Sequence, residues 1–200
     1  MRIAIQQSQP TNELFNAIRH DYGEEVLGIV LALCKISDIK LKVSKEQASD
    51  FRDMIVSYSE DPRVILIKLA DRLEVMRSLD IFPEAKRRTK SWESLNLYAQ
   101  IAHKLGLYAI KSELEDLSLK YLETEAYNHI VHELKESEKE RMAFIEEFLK
   151  PIRELLDRDG LKYHIKSRTK SVYSIFQKMR KQKVSFKGVY DIFALRIIID

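Results

Sequence analysis

The scarcity of helix-breaking residues is the feature that most constrains this chain. Its 200 residues contain only five Gly and four Pro, which predicts long helices joined by short connections. An apolar share of 45% is ample for a core. Start and stop signals predict helices over residues 11–21, 24–36, 45–59, 63–79, 83–104, 107–121 and 124–159. The helix 24–36 is expected to be buried, and the helix 45–59 opens with a capping box at Ser44. The last helix is expected to be kinked or broken at Pro151.

The end of the chain has a different pattern. Leu161, Tyr163 and Ile165 alternate with polar residues, which predicts a half-buried strand after Gly160. Residues 171–181 show helical periodicity, and the apolar run 192–199 is typical of a central strand. The expected fold is therefore mainly α with a C-terminal α/β piece made of a strand, a helix and a strand.

Charge is distributed unevenly over this C-terminal piece. Between Leu161 and Tyr190 there are nine Lys or Arg and no Asp or Glu, and the first acid to follow is Asp191. Lys170, Ser174 and Lys178 are spaced by four and share the polar face of the predicted helix. Cations for phosphates and a carboxylate for a divalent metal are the components of a polyphosphate site. The alternative is a Lys-rich helix whose charges only face water.

Overall composition excludes several classes of protein. The single cysteine, Cys34, cannot form an internal disulfide, and no apolar run approaches the length of about 20 residues that spans a membrane. No signal peptide is visible, so a cytoplasmic location is expected. A formal charge of +3 is too small to indicate nucleic-acid binding by itself, and neither DNA nor a membrane is an expected partner.

Two C-terminal runs resemble the opening of the synthetase domain of the RelA/SpoT family. They are residues 165–179, IKSRTKSVYSIFQKM, and residues 189–200, VYDIFALRIIID. The family's GTP pyrophosphokinases transfer pyrophosphate from ATP to the 3′-hydroxyl of GTP or GDP, giving (p)ppGpp in the bacterial stringent response, and the full-length parent could associate with the ribosome. The resemblance implies that Arg168 and Arg196 flank the adenine, that Lys170, Ser174 and Lys178 hold the phosphates, and that Asp191 binds the catalytic Mg²⁺. On a strict strand Arg196 points to the opposite face from Asp191, so sharing one pocket requires either a bulge or a position of Asp191 before the strand.

The helical part resembles the same family's HD-type hydrolase domain. Residues 61–79, DPRVILIKLADRLEVMRSL, are similar to its last motif, with Asp71 at the position of the final metal-ligand aspartate, and residues 98–117 match the following segment. Glu74-Val75 replaces the usual His-Asn, and His20-Asp21 aligns outside the metal motifs. Because a divalent metal needs several ligands at once, Mn²⁺ is not expected, and Asp71 would instead pair with Lys68.

These matches predict a division into residues 1–134 as the C-terminal part of a hydrolase domain, 135–160 as a linking helix and 161–200 as the start of a synthetase domain. We expect the chain to be a fragment of a GTP pyrophosphokinase, with an ATP and Mg²⁺ half-site and a degenerate hydrolase remnant, and inactive alone. The alternative function is a non-catalytic helical regulatory or interaction module that binds anions or RNA through its basic segment.

Overall fold

The computed structural model describes residues 12–38 and 61–199. The predicted helix 45–59, its capping box and the start of the first helix at Thr11 lie outside the described residues. Within the described ranges the helices are α1 (Asn12–Asp38), α2 (Pro62–Arg77), α3 (Glu84–Glu93), α4 (Ala99–Lys104), α5 (Tyr108–Leu122), α6 (Thr124–Glu136), α7 (Glu138–Arg158) and α8 (Val172–Gln182), and the strands are β1 (Tyr163–Thr169) and β2 (Phe193–Ile199). The prediction of a mainly helical chain with a C-terminal strand–helix–strand is confirmed.

Capping residues set the boundaries of the first helices. Gly23 interrupts α1 with φ 86° and ψ 171°, a conformation that glycine adopts without steric cost. Asp61 caps α2 by accepting a hydrogen bond from the backbone N–H of Arg63 at 2.9 Å, and Pro62 occupies the first helical position. The prediction that residues 24–36 are buried is wrong. Among the described side chains of α1 only Leu27 is buried, and Val26 and Leu31 are exposed.

The segment predicted as one helix from Pro83 to Lys104 has three parts. A π-helical turn, Ser94–Tyr98, separates α3 from α4. Short 3₁₀ turns lie at Leu79–Ile81 and at Phe186–Gly188. The helix ends as expected at Gly106, which has φ 73°.

The last long helix is broken at Ser137 and not at Pro151. The Ser137 hydroxyl donates to the carbonyl of Glu133 at 2.6 Å, and its backbone N–H bonds the same carbonyl at 3.1 Å. Ser137 has φ −84° and ψ 3°, outside the α-helical range, so α6 ends at this residue. Pro151 lies inside α7. Gly160, with φ 67°, ends the helical region as predicted.

The two strands pair antiparallel, with Lys166 opposite Arg196 and Arg168 opposite Ala194. Residues directly opposite each other share a face of the sheet. The other face carries Phe193, whose ring meets Phe144 of α7 with centroids 6.1 Å apart. The face that carries the two arginines is consequently left exposed.

The chain divides into two compact units, residues 1–79 with 93–111 and residues 80–92 with 112–200. The predicted division at residues 135–160 stays a prediction. In the second unit one apolar cluster joins α5, α6, α8 and the second 3₁₀ turn through the buried residues Leu119, Ile130, Ile175, Phe176 and Phe186. Val172 and Met179 of α8 pack against this cluster beside Ile175 and Phe176. One side of α8 is therefore apolar and faces the core, as its helical periodicity predicted. No helix in the described ranges is long and apolar enough to span a membrane.

We expect Ile175→Ala to lower the free energy of unfolding by about 2–5 kcal/mol, because Ile175 is fully buried in this cluster and its loss leaves a cavity. Met142→Ala, at a side chain of α7 that is 55% exposed, should change the free energy of unfolding by less than about 0.5 kcal/mol. Urea denaturation followed by circular dichroism measures both. Equal effects of the two substitutions would contradict the assignment of the core.

Candidate functional site

Two ammonium groups meet one carboxylate where the strands and α8 come together. The Nζ atoms of Lys170 and Lys178 both donate to Oδ2 of Asp191. These three residues are called the lysine–aspartate cluster below. Lys170 directly follows β1, Lys178 lies on α8 and Asp191 precedes β2. Three residues that are spread over 22 positions of sequence therefore form one charged group at the surface.

Backbone geometry explains why these residues meet. The N–H of Lys170 donates to the carbonyl of Ile192 at 2.8 Å, which fixes the end of β1 beside the start of β2. Asp191, one residue earlier, is thereby held next to Lys170. The helix then places Lys178 on the same side, because its apolar stripe at Ile175 and Phe176 faces the core.

The cluster changes the ionisation of its own members. Hydrogen bonds from Lys170 and Lys178 lower the pKa of Asp191 to about 2. The hydrogen bond to Asp191 raises the pKa of Lys178 above its usual range. Both shifts favour the charged forms of Asp191 and Lys178. Its cations outnumber its anion, which suits it to an added anionic ligand.

The exposed face of the strand pair carries three further cations. Arg168 and Arg196 are diagonal neighbours across the ladder, and Lys166 lies opposite Arg196. β2 begins only at Phe193, so Asp191 precedes the strand, as the placement of Arg196 required. The structure thus puts both predicted adenine-flanking arginines on one face of the sheet.

Ser174 lies in the first turn of α8, one turn before Lys178. Its hydroxyl is hydrogen bonded to the hydroxyl of Ser171 at 2.8 Å, and its backbone N–H donates to the same Ser171 oxygen at 3.3 Å. Ser171 is therefore the N-cap of the helix. The predicted phosphate-binding role of Ser174 stays a prediction.

Sequence reasoning missed Asp116 of α5. Its two carboxylate oxygens accept hydrogen bonds from the backbone N–H groups of Val172 and Tyr173 at 3.3 and 2.8 Å. The start of α8, where the helix dipole favours an anion, thus already holds an internal carboxylate. No local sequence signal could have found it, because 56 residues separate Asp116 from Val172.

The helical part contains a different charged group. Arg72 forms a salt bridge with Glu93 at 3.0 Å and stacks over the ring of Tyr98 at 4.1 Å. Burial acts to lower the pKa of Arg72, but the charges and hydrogen bonds of Tyr98 and Glu93 outweigh it and raise that pKa. This group ties α2 to α3 and the π-helical turn.

Asp71 lies near Lys68 on the same helix. Burial lowers the pKa of Lys68, and the Asp71 charge acts in the opposite direction. In residues 12–38 and 61–199 no group of three or more His, Cys, Asp or Glu residues is arranged to hold a metal ion. His20 contacts Asp21 at 2.8 Å, but both side chains are mostly exposed neighbours in sequence.

Comparison with protein families finds one match in the N-terminal part of the chain and another at its C-terminal end. An HD domain matches residues 4–108, and a region found in RelA / SpoT proteins matches residues 167–200. Asp71 falls in the first match, and Arg168, Lys170, Ser174, Lys178, Asp191 and Arg196 fall in the second. The class of protein is thus one that joins a helical HD domain to a RelA/SpoT region.

The curated relatives of this chain are named for two activities. A guanosine-3′,5′-bis(diphosphate) 3′-pyrophosphohydrolase of Aquifex aeolicus is 38% identical over 193 residues, and a GTP pyrophosphokinase of Myxococcus xanthus is 40% identical over 181. These alignments cover 96% and 88% of this chain. GTP pyrophosphokinase rsh of Brucella melitensis is 33% identical over 204 residues, 99% of this chain. The chain belongs to the RelA/SpoT family, and it spans about a quarter of the length of these relatives, 27%, 24% and 27% respectively.

We expect Lys178→Met to raise the pKa of Asp191 from about 2 toward 3.8, because one of its two ammonium donors is lost. The native pKa lies below that of the unfolded chain, so ionised Asp191 favours the folded state above pH 3.8, and this contribution is lost as the pH falls through about 2. Carboxyl ¹³C NMR titration measures the pKa. The exposed Lys181→Met is the control, and an unchanged pKa in Lys178→Met would show that the cluster does not form.

Proposed function

We propose that the lysine–aspartate cluster and the arginine face form the ATP side of a GTP pyrophosphokinase site. The observation that carries this proposal is the convergence of Lys170 and Lys178 on Asp191 beside a face with Arg168 and Arg196. The names of two relatives, GTP pyrophosphokinase, support the same reaction class. In the longer protein this site would serve pyrophosphate transfer from ATP to the 3′-hydroxyl of GTP or GDP, giving (p)ppGpp.

The arginine face suits a nucleobase. A guanidinium is planar and stacks on aromatic rings, and two guanidiniums on one face of a strand pair can contact one adenine. Their exposure means that little has to move for a ligand to reach them. The opposite face of the sheet, packed at Phe193, keeps the strands in place while the base binds.

The cluster suits a triphosphate. Lys170 and Lys178 each donate to one carboxylate oxygen, and phosphate oxygens are acceptors of the same kind. On binding, the ammonium groups would turn from Asp191 to the phosphates, and the carboxylate oxygen would become free. Ser174, one turn before Lys178, would donate its hydroxyl to a phosphate.

Asp191 is the residue that would hold Mg²⁺. Its carboxylate is ionised and exposed, and Mg²⁺ in such sites takes one or two carboxylates together with substrate phosphates and water. When bound, Mg²⁺ neutralises charge on the phosphates. Asp191 also keeps the two lysines together before any ligand arrives, so their positive charges face the incoming phosphates as a pair.

The remaining expectations belong to the longer protein. We propose that the acceptor is GTP or GDP, that the location is cytoplasmic and that the full-length parent can associate with the ribosome. We also expect the 200 residues to bind MgATP. The hydrolase-like helices, with Glu74 and Val75 in their last motif, are proposed to be a degenerate remnant.

Calorimetric titration of MgATP tests the site. We expect saturable binding that Lys178→Met weakens roughly tenfold or more, because a hydrogen bond to a charged group contributes about 1.5–3 kcal/mol. Asp191→Asn should weaken binding in the presence of Mg²⁺ and have a smaller effect in its absence. Lys181→Met is the control, since it removes one exposed positive charge from the same helix. It should reduce the affinity less than Lys178→Met, because the ammonium groups that donate to Asp191 are those of Lys170 and Lys178.

The alternative function makes a different prediction in the same experiment. A basic segment without nucleotide specificity should bind single-stranded RNA with a steep dependence on salt, and should lose about as much affinity in Lys181→Met as in Lys178→Met. MgATP binding that is indifferent to both Lys178→Met and Asp191→Asn would place the site elsewhere. Absence of MgATP binding by the folded chain would overturn the proposed function for these residues.

A further inference from the structure

Every amide in the first turn of α8 has a hydrogen-bond partner. The N–H of Ser174 donates to the side chain of Ser171, its own N-cap, at 3.3 Å. The N–H groups of Val172 and Tyr173 donate to Asp116, at 3.3 and 2.8 Å. The first amides of a helix have no partner within the helix, and here a carboxylate from α5 supplies what local capping leaves open.

The geometry of this contact constrains more than the helix end. Asp116 uses one oxygen for each of two successive amides, so it defines both the position of the first turn and the rotation of α8 about its axis. That rotation decides where Lys178 lies, two turns along. The residue before the cap is Lys170, whose own N–H donates to the carbonyl of Ile192, just ahead of β2.

α5 is anchored in the core on either side of Asp116. Next to Asp116, Glu115 is only 3% exposed, and Leu119 of the same helix is in the cluster that contains Ile175 and Phe176 of α8. Two kinds of contact therefore join α5 and α8. The apolar packing of Ile175 and Phe176 tolerates small rotations and translations of α8. The bidentate hydrogen bonding of Asp116 at the start of α8 does not tolerate them. Burial and the charge of Glu115 raise the pKa of Tyr173, consistent with a close approach.

We propose that Asp116 is a positioning residue that sets the orientation of α8, and through it the placement of Lys170 and Lys178 for a nucleotide triphosphate. The inference rests on the proposed function, since it concerns the same phosphate-binding lysines. Asp116 itself lies between the segments matched by the two families, residues 4–108 and 167–200. It would act without touching the nucleotide, because its carboxylate is hydrogen bonded to backbone amides at the start of the helix.

Three substitutions test this role. Asp116→Ala removes both acceptors, Asp116→Asn keeps one acceptor oxygen, and Glu125→Gln is the control, since it removes the same charge from the exposed first turn of α6. Two measurements are made on each: amide hydrogen exchange along α8 and the affinity for MgATP by calorimetry. Circular dichroism verifies that each variant is folded.

In Asp116→Ala we expect exchange of the amides from Ile175 to Met179 to become roughly fivefold to thirtyfold faster, the range that loss of a cap implies. The affinity for MgATP should fall roughly fivefold or more, Asp116→Asn should restore part of both losses, and Glu125→Gln should match the unchanged protein. This order would support positioning, because a charge effect alone would make Asp116→Asn and Asp116→Ala equal.

Two results would overturn the inference. Exchange that is unchanged in Asp116→Ala would show that packing alone orients α8. Faster exchange with an unchanged MgATP affinity would show a cap that stabilises the helix without positioning the lysines. If the unchanged protein binds no MgATP, the proposed function fails and the nucleotide role of Asp116 fails with it, while the exchange data still decide whether Asp116 holds α8.

Discussion

The packing of α8 is the constraint on which the candidate site depends. Ile175 and Phe176 are buried with residues of α5 and α6, so the helix can present only its opposite side to solvent. Since that side carries Lys178, an apolar contact determines where a charge is placed. Burial of two such side chains contributes on the order of 3–6 kcal/mol, much more than an exposed ion pair. The core therefore positions the cluster, and the cluster itself adds little to stability.

Electrostatics then gives the site its character. The nine positively charged side chains between Leu161 and Tyr190 repel one another, because no Asp or Glu lies among them. Asp191 is the first acidic residue to follow them. Its position before β2, beside the end of β1, lets two lysines share it. The result is a surface that retains a net positive charge and an ionised carboxylate. Those are the properties that binding of a phosphate chain with a divalent cation requires.

The two compact units differ in how much of their predicted chemistry the described residues contain. In the second, Lys170, Lys178 and Asp191 come together, and Arg168 and Arg196 share a face. In the hydrolase-like part, Asp71 has Lys68 as an electrostatic neighbour, and the described residues supply no set of metal ligands around it.

Local signals in the sequence were sufficient for most element boundaries. Asp61 and Pro62 open α2, and Gly106 and Gly160 end helical segments, because capping and left-handed turns depend on one or two residues and their immediate neighbours. The break at Ser137 was missed because no Gly or Pro marks it in the sequence, and only the backbone geometry of Ser137 ends α6 there. The exposure of Val26 and Leu31 was missed because an apolar pattern in the sequence does not show which of its side chains other elements cover.

The sequence by itself determined the family, the helical character, the strand–helix–strand and the residue types of the candidate site. Periodicity and motif spacing are local properties, so they can be read along the chain. Only the tertiary structure decided that Lys170 and Lys178 share Asp191, and that Asp116 holds the start of α8. Those contacts join residues 13 to 57 positions apart, and such distances are closed by packing of the core, which no local pattern encodes.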